Sequence, residues 1–503
     1  MKKILSVLLI LILSITVLTS CGDDNGGENS FGDTLRVGSI GDISTMDPTN
    51  FSDLQTQLAI TAVYSRLVKF DKDLKVIPDA AEHWENISDL EWGFTLKEGI
   101  KFSDGTDLTA EDVKASLMRA KTQTLVAHIV AYIEDVDIKD DLHFVIKTSK
   151  PFAALLSNLA DPACSILPSE LIESGNDFAK NPVGSGPYVF ESWTPSEKAV
   201  FVRNENYFDT ENASQFEKLE LRVIPEGSSR TIALETGEID INTSVLTSDY
   251  SRIKENEKLG LYETTANQLY GLFFNETKEP FNNLDFRKAI EYAVDKEAVI
   301  QASQEGLGER LTSILPSAVV GSIDAGYTYD VEKAKEYLQK SGFKQEAGKK
   351  FVIRSMSDMN TKMAVVIQGN LKDIGIETEV AQNTVATHME QCGQGQFEMA
   401  IMGWATAPDP DRFLRPLFHK DSLGTNNFSQ LKDDEISKKI DDAVGIIDET
   451  KRKAAYEEIN RELMDEAHVV PITGKAILIG YRAGLKNVYQ DGVFGMDFNT
   501  IRY

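Results

Sequence analysis

The sequence predicts an α/β protein built from two or three lobes, and three observations support that prediction. About 470 residues follow the N-terminal segment, which is more than one hydrophobic core usually holds. The first part of this stretch mixes strands with turns, whereas strongly amphipathic helices begin near residue 278. Further on, "FVIRSM", "TKMAVVIQGNLKDIGI" and "ETEVAQ" follow one another as strand, helix and strand, an order typical of α/β folds.

Residues 1–20 have the pattern of a secretory signal peptide. Two lysines precede an apolar run over residues 4–18, which is short for a membrane-spanning helix. The run ends in "LTSC", which resembles a bacterial lipobox and predicts lipidation of Cys21. The alternative is an ordinary signal peptide with an incidental cysteine. We expect an exported protein that is lipid-anchored to the membrane surface, at the periplasmic or extracellular face.

Residues 21–33 are rich in glycine, aspartate and asparagine and contain one aromatic residue. Such a segment buries too little apolar surface to fold. It is therefore predicted to be a flexible tether between the lipid and the folded part.

The chain is strongly acidic, with a formal net charge of −27. Removing residues 1–20 takes away two lysines and no acids, which brings the net charge to −29. This charge argues against nucleic acid as a partner. Only Cys164 and Cys392 remain after Cys21, too few for a disulfide framework, and the sequence leaves open whether they pair.

The elements of the folded part can be assigned in chain order. Leu35 and Val37 alternate with polar residues as in a strand, and a loop then leads to a helix predicted over residues 58–71. Thr109 is a good helix N-cap, and Asp112 three residues later completes a capping-box pattern. Further predicted elements are a hairpin at 94–102, a turn at 184–187, a strand at 219–225, a helix and short strand at 230–241, helices near 434–447 and 451–467, and strand character from residue 476.

No catalytic or cofactor-binding motif is visible in the sequence. Phosphate-binding glycine loops, H-E-x-x-H, C-x-x-C and calcium loops are absent, and Ser185 does not lie in a nucleophile elbow. One pair, His388 and Cys392, has metal-like spacing on a helix; the alternative is an ordinary helix face. We therefore expect no catalytic residue, no cofactor and no metal, and a binding protein fits better than an enzyme.

The stretch "FTLKEGIKFSDGTDLTAEDVKASL", residues 94–117, resembles a signature of the family 5 extracellular solute-binding proteins, the peptide- and nickel-type receptors of bacterial ABC importers. Further similar segments follow in the family order over residues 34–503. They are "MDPTNFSD", "AVYSRLVKFD", "NPVGSGPY", "FNETKEPFNNLDFRKAIEYAVDKEAVI", "LKDIGIETE" and "NNFSQLKDDEISKKIDDA".

The resemblance implies a periplasmic-binding-protein-like fold, with two lobes joined by a hinge and an additional subdomain on the first lobe. The implied boundaries are 34–72, 182–277 and 472–503 for lobe I, 73–181 for its subdomain, and 278–471 for lobe II. The shift toward helices near residue 278 agrees with the last boundary.

The resemblance also implies that "GWATAPDPD" lines the ligand cleft. Trp404 would supply an apolar wall, with core packing as the alternative, and Asp409 and Asp411 would lie beside it. The extended backbone can pair with a ligand backbone as an added strand does. Peptide receptors of this family commonly carry an acid here that pairs with the peptide ammonium. In this chain Ala405, Thr406 and Ala407 stand in its place, so the resemblance does not imply recognition of a free N-terminus.

Other candidate cleft residues come from matched positions. Ser44, Thr45 and Met46 lie in the loop after the first strand, and Tyr270 lies where the chain approaches the second lobe. Arg354 would meet a ligand carboxylate or, equally well, form a surface ion pair. Arg412 is expected to brace the acidic loop.

Three functions remain open from the sequence. The first is a monomeric receptor that passes a peptide or peptide-like solute to ABC transporter permease subunits. The second keeps the receptor but changes the solute to a metal chelate or another small non-peptide molecule, with His419 as the nearby histidine candidate or else a helix-surface residue. The third is a lipid-anchored hydrolase, which would need a nucleophile and base that are not visible.

Overall fold

The computed structural model describes residues 32–493 and 495–503. The predicted signal peptide, Cys21 and most of the tether therefore lie outside the described residues. Asp33–Tyr503 forms one compact unit. Within the described part of the chain, no helix is long and apolar enough to cross a membrane.

The strands are short and are distributed over the whole described chain. In chain order they are β1 (Thr34–Ser39), β2 (Val68–Phe70), β3 (Val76–Pro78), β4 (Ala81–Ser88), β5 (Glu91–Leu96), β6 (Ile133–Ile138), β7 (His143–Thr148), β8 (Tyr188–Thr194), β9 (Lys198–Arg203), β10 (Lys218–Val223), β11 (Ile241–Asn242), β12 (Leu259–Thr265), β13 (Gln268–Phe274), β14 (Glu309–Arg310), β15 (Phe351–Ser355), β16 (Thr378–Gln382), β17 (Met399–Ala405), β18 (Val469–Gly474) and β19 (Ala476–Arg482).

The longer helices lie mainly in the second half of the chain. In chain order they are α1 (Leu54–Val63), α2 (Ala110–Lys121), α3 (Leu155–Leu159), α4 (Ser169–Glu173), α5 (Gly227–Thr236), α6 (Tyr250–Lys254), α7 (Leu284–Ala293), α8 (Lys296–Gln304), α9 (Val331–Lys340), α10 (Asp358–Asp373), α11 (Val385–Gly393), α12 (Asp411–Phe418), α13 (Asp434–Val444) and α14 (Glu449–Asp465).

Two large sheets organise the molecule. The first has the strand order β12-β19-β11-β1-β10-β9-β8, so it collects segments from the start, the middle and the end of the chain. The second has the order β14-β18-β13-β17-β15-β16 and uses only residues after 267. The two large sheets give the two-lobed α/β fold that the sequence predicted.

A third sheet, β4-β5-β7-β6, belongs to the additional subdomain. Phe94 of β5 stacks on Phe144 of β7 at a ring separation of 5.5 Å in its core. The predicted capping box is present, since the Asp112 carboxylate accepts from the Thr109 backbone N–H at 2.8 Å while the Thr109 side chain meets the helix backbone. The residues of this segment therefore form most of one hydrophobic core, which also includes Ala407 and Val444.

The predicted strand–helix–strand order is present as β15, α10 and β16. β15 and β16 run parallel, as a helical crossover requires. Met363, Ile367 and Leu371 on one face of α10 are fully buried. Gly375 follows the helix with a φ of 89°, a left-handed conformation that glycine adopts without steric cost.

One predicted helix is shorter than expected. Helix α1 ends at Val63, and residues 68–70 form β2, which pairs with β3. The prediction continued the helix to Asp71 because the apolar run does not stop at the helix end. The last part of that run instead forms a strand, because it pairs with β3. The local sequence does not indicate this pairing.

The chain crosses between the two large sheets twice. It passes from β12 to β13 at residues 265–268 and from β18 to β19 at residues 474–476. The two crossings lie side by side, because the Ala266 N–H donates to the Lys475 carbonyl at 2.8 Å. β13 pairs with β17 on one side and β18 on the other, so it is a central strand of the second sheet.

Candidate functional site

A cavity of about 650 Å³ lies between the two large sheets. Thr243 and Leu246, which follow β11 of the first sheet, line one wall. Gln304 at the end of α8 and Ala405 at the end of β17 line the opposite wall, and Lys475 lies at the chain crossing. We call this space the inter-sheet cavity. Its volume falls in the range that holds small-molecule ligands.

A second cavity, of about 630 Å³, lies next to it. Tyr132 and Phe152 of the additional subdomain form its apolar side. Ala405, Thr406 and Arg412 line both cavities. We call this second space the subdomain cavity. The segment predicted to line the ligand cleft therefore separates two spaces large enough for a solute.

A third, polar cavity, beside Tyr64 and Asp497 in the first lobe, holds only about 40 Å³. That volume accommodates a water molecule but no solute.

Trp404 forms part of the wall of the subdomain cavity. Its side chain is half-buried, and its indole Nε1 donates to the Arg412 carbonyl at 2.9 Å. Gly403 precedes it directly opposite Tyr270 in the ladder between β17 and β13. A Cβ at Gly403 would lie 2.5 Å from the Tyr270 ring, so only glycine lets that ring pack against the strand.

The two acids of the loop border the subdomain cavity, but their carboxylates are already paired. Asp409 is 2% exposed and accepts from Arg452 of α14 at 2.7 Å. Asp411 accepts from Arg415 at 3.0 and 3.1 Å. Burial raises the pKa of Asp411 despite the adjacent Arg415 charge. These contacts make both acids braces of the loop, and a direct ligand contact by either stays a prediction.

Arg412 connects the loop to the additional subdomain. Its Nε donates to Thr406 Oγ1 at 2.9 Å, and its Nη1 and Nη2 each lie 3.4 Å from Asp161 Oδ2. Asp161 caps a short 3-10 turn in the subdomain. Arg412 was expected to brace the acidic loop. In the structure it also contacts Asp161 and so links the second lobe to the subdomain.

The three side chains predicted from the loop after the first strand make contacts within the first lobe and do not line the described walls of either cavity. Ser44 Oγ donates to Asp53, the N-cap residue of α1. Thr45 is buried and its hydroxyl accepts from the Asp47 backbone N–H at 3.0 Å. Met46 is fully buried. Neither cavity is lined by these three predicted contacts in the described residues; Ile40, Gln55 and Leu58 are the nearby residues that line the inter-sheet cavity instead.

Tyr270 and Arg354 also lie outside the described walls of both cavities. Tyr270 is partly buried between β17 and β18, and burial raises its pKa. Arg354 lies on β15, and its buried Nε has no hydrogen-bond partner in the described part of the chain. A carboxylate contact by Arg354 therefore stays a prediction that the cavity geometry does not support.

The metal-like spacing of His388 and Cys392 corresponds to a packed helix face. Both side chains are fully buried, and His388 Nε2 lies 2.9 Å from Met402 Sδ. Burial lowers the pKa of His388. Among residues 32–493 and 495–503, no group of three or more His, Cys, Asp and Glu side chains has a metal-binding arrangement. Cys164 and Cys392 are free thiols in separate cores.

His419 is buried away from both cavities. Its Nδ1 accepts from the Asp421 backbone N–H at 3.2 Å, and its Nε2 lies 3.4 Å from Asp441. The sequence alternatives for His419 were a cleft ligand and a helix-surface residue. The structure instead gives a buried residue that caps the turn after α12.

Lys475 is a cavity residue that the sequence analysis did not single out. Its side chain is exposed to the inter-sheet cavity, and its Nζ has no hydrogen-bond or ion-pair partner within the described part of the chain. Burial by the surrounding walls lowers its pKa. A single lysine between two strands gives no local signal, because only the crossing between the sheets brings it to the cavity.

Comparison with known proteins places these features in a family. The sequence profile described as "Bacterial extracellular solute-binding proteins, family 5 Middle" matches residues 75–425. The chain is 28% identical to the "Probable D,D-dipeptide-binding periplasmic protein DdpA" of Escherichia coli K12, over 93% of both chains. It is 29% identical to the "Nickel-binding periplasmic protein" of the same organism, over 89% of this chain and 91% of the relative.

A solved structure gives the same result. The periplasmic binding protein DppA of Helicobacter pylori, in complex with the peptide STSA, aligns with a TM-score of 0.76 at 27% identity. The alignment covers 93% of this chain and 96% of that one. These relatives are solute-binding proteins of transport systems and not enzymes. This chain therefore belongs to family 5 of the bacterial extracellular solute-binding proteins, the substrate-binding proteins of ABC importers.

Proposed function

We propose that this protein captures a peptide or peptide-like solute in the inter-sheet cavity and delivers it to the permease subunits of an ABC importer. The observation that carries the proposal is the position of that cavity. Its walls come from both lobes, and it lies at the two chain crossings, so a solute there would touch both halves at once. Binding of that kind favours closure about the crossings as a hinge.

The free edge of β17 supports a peptide-like cargo. On its β15 side, β17 pairs only through Met399 and Ala400. Ile401 and Met402 are fully buried beside His388, whereas residues 403–405 are less buried and have no strand partner on that side in the described part of the chain. An extended ligand backbone can use such an edge independently of its side chains. The dipeptide and tetrapeptide named for two relatives agree with this cargo.

Contacts across the gap support a closed state. Arg412 lies 3.4 Å from Asp161 of the subdomain, and the Ala153 N–H donates to the Val444 carbonyl at 3.3 Å. Ala407 and Val444 of the second lobe are buried in the subdomain core. A hinge opening would break these contacts, so solute binding and closure would be coupled through them.

We also propose export and lipid anchoring through Cys21, as the lipobox-like sequence indicates. Growth with a radiolabelled fatty acid tests this proposal. Wild type is expected to carry the label, whereas Cys21→Ser is expected to remain unlabelled. An unlabelled wild-type chain would refute lipidation and leave an ordinary signal peptide.

A metal chelate or another non-peptide solute is the competing cargo, because one relative is a nickel-binding protein. His419, the histidine considered for that role, is buried away from both cavities. His128 lines the subdomain cavity, but the described lining of the inter-sheet cavity, the proposed site, contains no histidine, cysteine or acid that could hold a metal, which favours the peptide-like cargo.

Native mass spectrometry of residues 22–503, purified under mild conditions, tests the proposal. A ladder of peptide masses released on denaturation is the expected result. Ala405→Trp would fill the space where both cavities meet and is expected to abolish the ladder, whereas Ala386→Trp, on the exposed face of α11, should keep it. Release of a single non-peptide mass would refute the peptide cargo. Equal ladders from the wild type and Ala405→Trp would refute the position of the site.

A further inference from the structure

The inter-sheet cavity has an unusual charge for this chain. The whole sequence contains 79 Asp and Glu against 52 Lys and Arg. Among the described residues that line the inter-sheet cavity, however, none is acidic, and two are basic: Lys475 and Arg412. The remaining lining residues are apolar or carry neutral amides and hydroxyls. A cationic group that enters this space meets like charge and no counter-ion.

The two cations differ in availability. The Arg412 guanidinium is shared between Thr406 Oγ1 and the Asp161 carboxylate. Lys475 Nζ has no such partner among the described residues, although its charge lies between protein walls. The Lys475 backbone is fixed, because its carbonyl accepts from Ala266 and the adjacent Ala476 N–H donates to the Gln304 side chain at 3.0 Å. The Lys475 side chain therefore starts from a hydrogen-bonded backbone at the crossing between the sheets.

The Lys475 side chain is exposed to the cavity, so solvent reaches its ammonium, which has no counter-charge among the described residues. The surrounding walls remove part of that solvent and lower the pKa of Lys475. A ligand carboxylate or other anion at Lys475 would supply the missing counter-charge and a charge-assisted hydrogen bond. A ligand ammonium in the same space would remain unpaired.

We propose that the solute is an anion that seats a carboxylate on Lys475 and carries no free ammonium group in the inter-sheet cavity. This inference rests on the proposed function, which makes that cavity the binding site. The chemical class is that of N-blocked peptides with a free carboxylate, or of non-peptide carboxylic acids with the same charge.

Three tetrapeptide pools with uncharged side chains test the inference by titration calorimetry on residues 22–503. The first pool is N-acetylated with a free carboxylate, the second has both ends free, and the third is N-acetylated and C-amidated. The first pool is expected to bind at least tenfold more tightly than the other two. Comparable binding of the amidated pool would overturn the carboxylate contact, and comparable binding of the free-amine pool would overturn the exclusion of ammonium.

Substitutions identify the residue responsible. Lys475→Met is expected to remove the preference for the free carboxylate over the amide, whereas Lys372→Met, on the exposed face of α10, should retain it. Ala405→Asp would add a carboxylate at the cavity wall and is expected to shift the preference toward the free-amine pool. Full preference in Lys475→Met would overturn the inference even if the pools bind as expected.

Failure of the proposed function gives a different result from failure of this inference. If no peptide pool binds, the peptide cargo is refuted, and a set of non-peptide mono- and dicarboxylates is titrated against wild type and Lys475→Met. An acid that binds wild type and loses at least tenfold in Lys475→Met sustains the anionic solute. Absence of any such acid overturns it.

Discussion

Replacing Arg452 by methionine is expected to lower the free energy of unfolding by about 3 kcal/mol, because it leaves the Asp409 carboxylate buried without its counter-ion. The two side chains are 11% and 2% exposed, and Nη2 lies 2.7 Å from Oδ2. Removing one partner of a buried pair typically costs about 3–5 kcal/mol. We take the lower end because Asp409 Oδ1 still accepts from the Asp411 N–H at 2.9 Å.

Urea unfolding of residues 22–503, followed by tryptophan fluorescence, measures this loss. The next residue along α14 supplies the matched control. Lys453 is exposed and, among the residues that the structure describes, pairs with Glu457 on its own helix, so Lys453→Met should change the free energy of unfolding by less than about 0.5 kcal/mol. In the double variant Asp409→Asn/Arg452→Met, the loss is expected to fall short of the sum of the single losses by about 1–3 kcal/mol.

The same cycle separates a loop brace from a ligand contact. As a brace, Asp409→Asn lowers stability and weakens solute binding together. Asp409→Asn with wild-type stability and abolished binding would refute the reasoning, because the carboxylate would then act on the ligand.

Three further predictions follow from the same contacts. Binding of a carboxylate solute is expected to weaken as the pH rises through the lowered pKa of Lys475, since the anion favours the charged form of the lysine. Calorimetry measures this dependence, and binding of the amidated pool, which has no carboxylate, should not show it. Burial raises the pKa of Cys392 to about 12 and that of Cys164 well above its usual range. A thiol reagent should therefore label neither cysteine in the folded protein and both cysteines in urea. Labelling of the folded protein would contradict their burial. Asp161→Asn, which removes the charge that pairs with Arg412, is expected to weaken solute binding about two- to fivefold. It should also increase the radius of gyration of the solute-bound protein, as measured by X-ray scattering. An unchanged radius would rule out a role for the Arg412 contact in closure.

Much of the fold could be predicted from local patterns. The capping box at Thr109 and the amphipathic face of α10 each depend on residues a few positions apart, and both are present. The hairpin predicted at 94–102 is wrong: Phe94 lies on β5, which pairs with β4 and β7, and in the described chain no return strand follows the turn at 97–99. Helix α1 was predicted too long because its final apolar residues serve equally well in a strand. The choice between those states depends on β3, a pairing partner that the apolar pattern does not identify.

The candidate site was predicted less completely. The segment from Trp404 to Asp411 was expected at a cleft, and it borders the subdomain cavity. Its acids were expected to face a ligand, yet their carboxylates are used by Arg452 and Arg415. Those arginines lie on other helices or a full turn away, so nothing within the motif itself indicates the pairing.

The sequence by itself determined the family, the net negative charge and most of the helices, because these follow from motifs, composition or short-range periodicity. Only the tertiary structure decided which residues line the two cavities. Met46 is part of the hydrophobic core, whereas Lys475 lies on a cavity wall with no charged partner among residues 32–493 and 495–503. The physical reason is that cavity walls form where the first and second sheets meet, at crossings that join residues more than 200 positions apart, and burial and charge pairing there depend on distant segments.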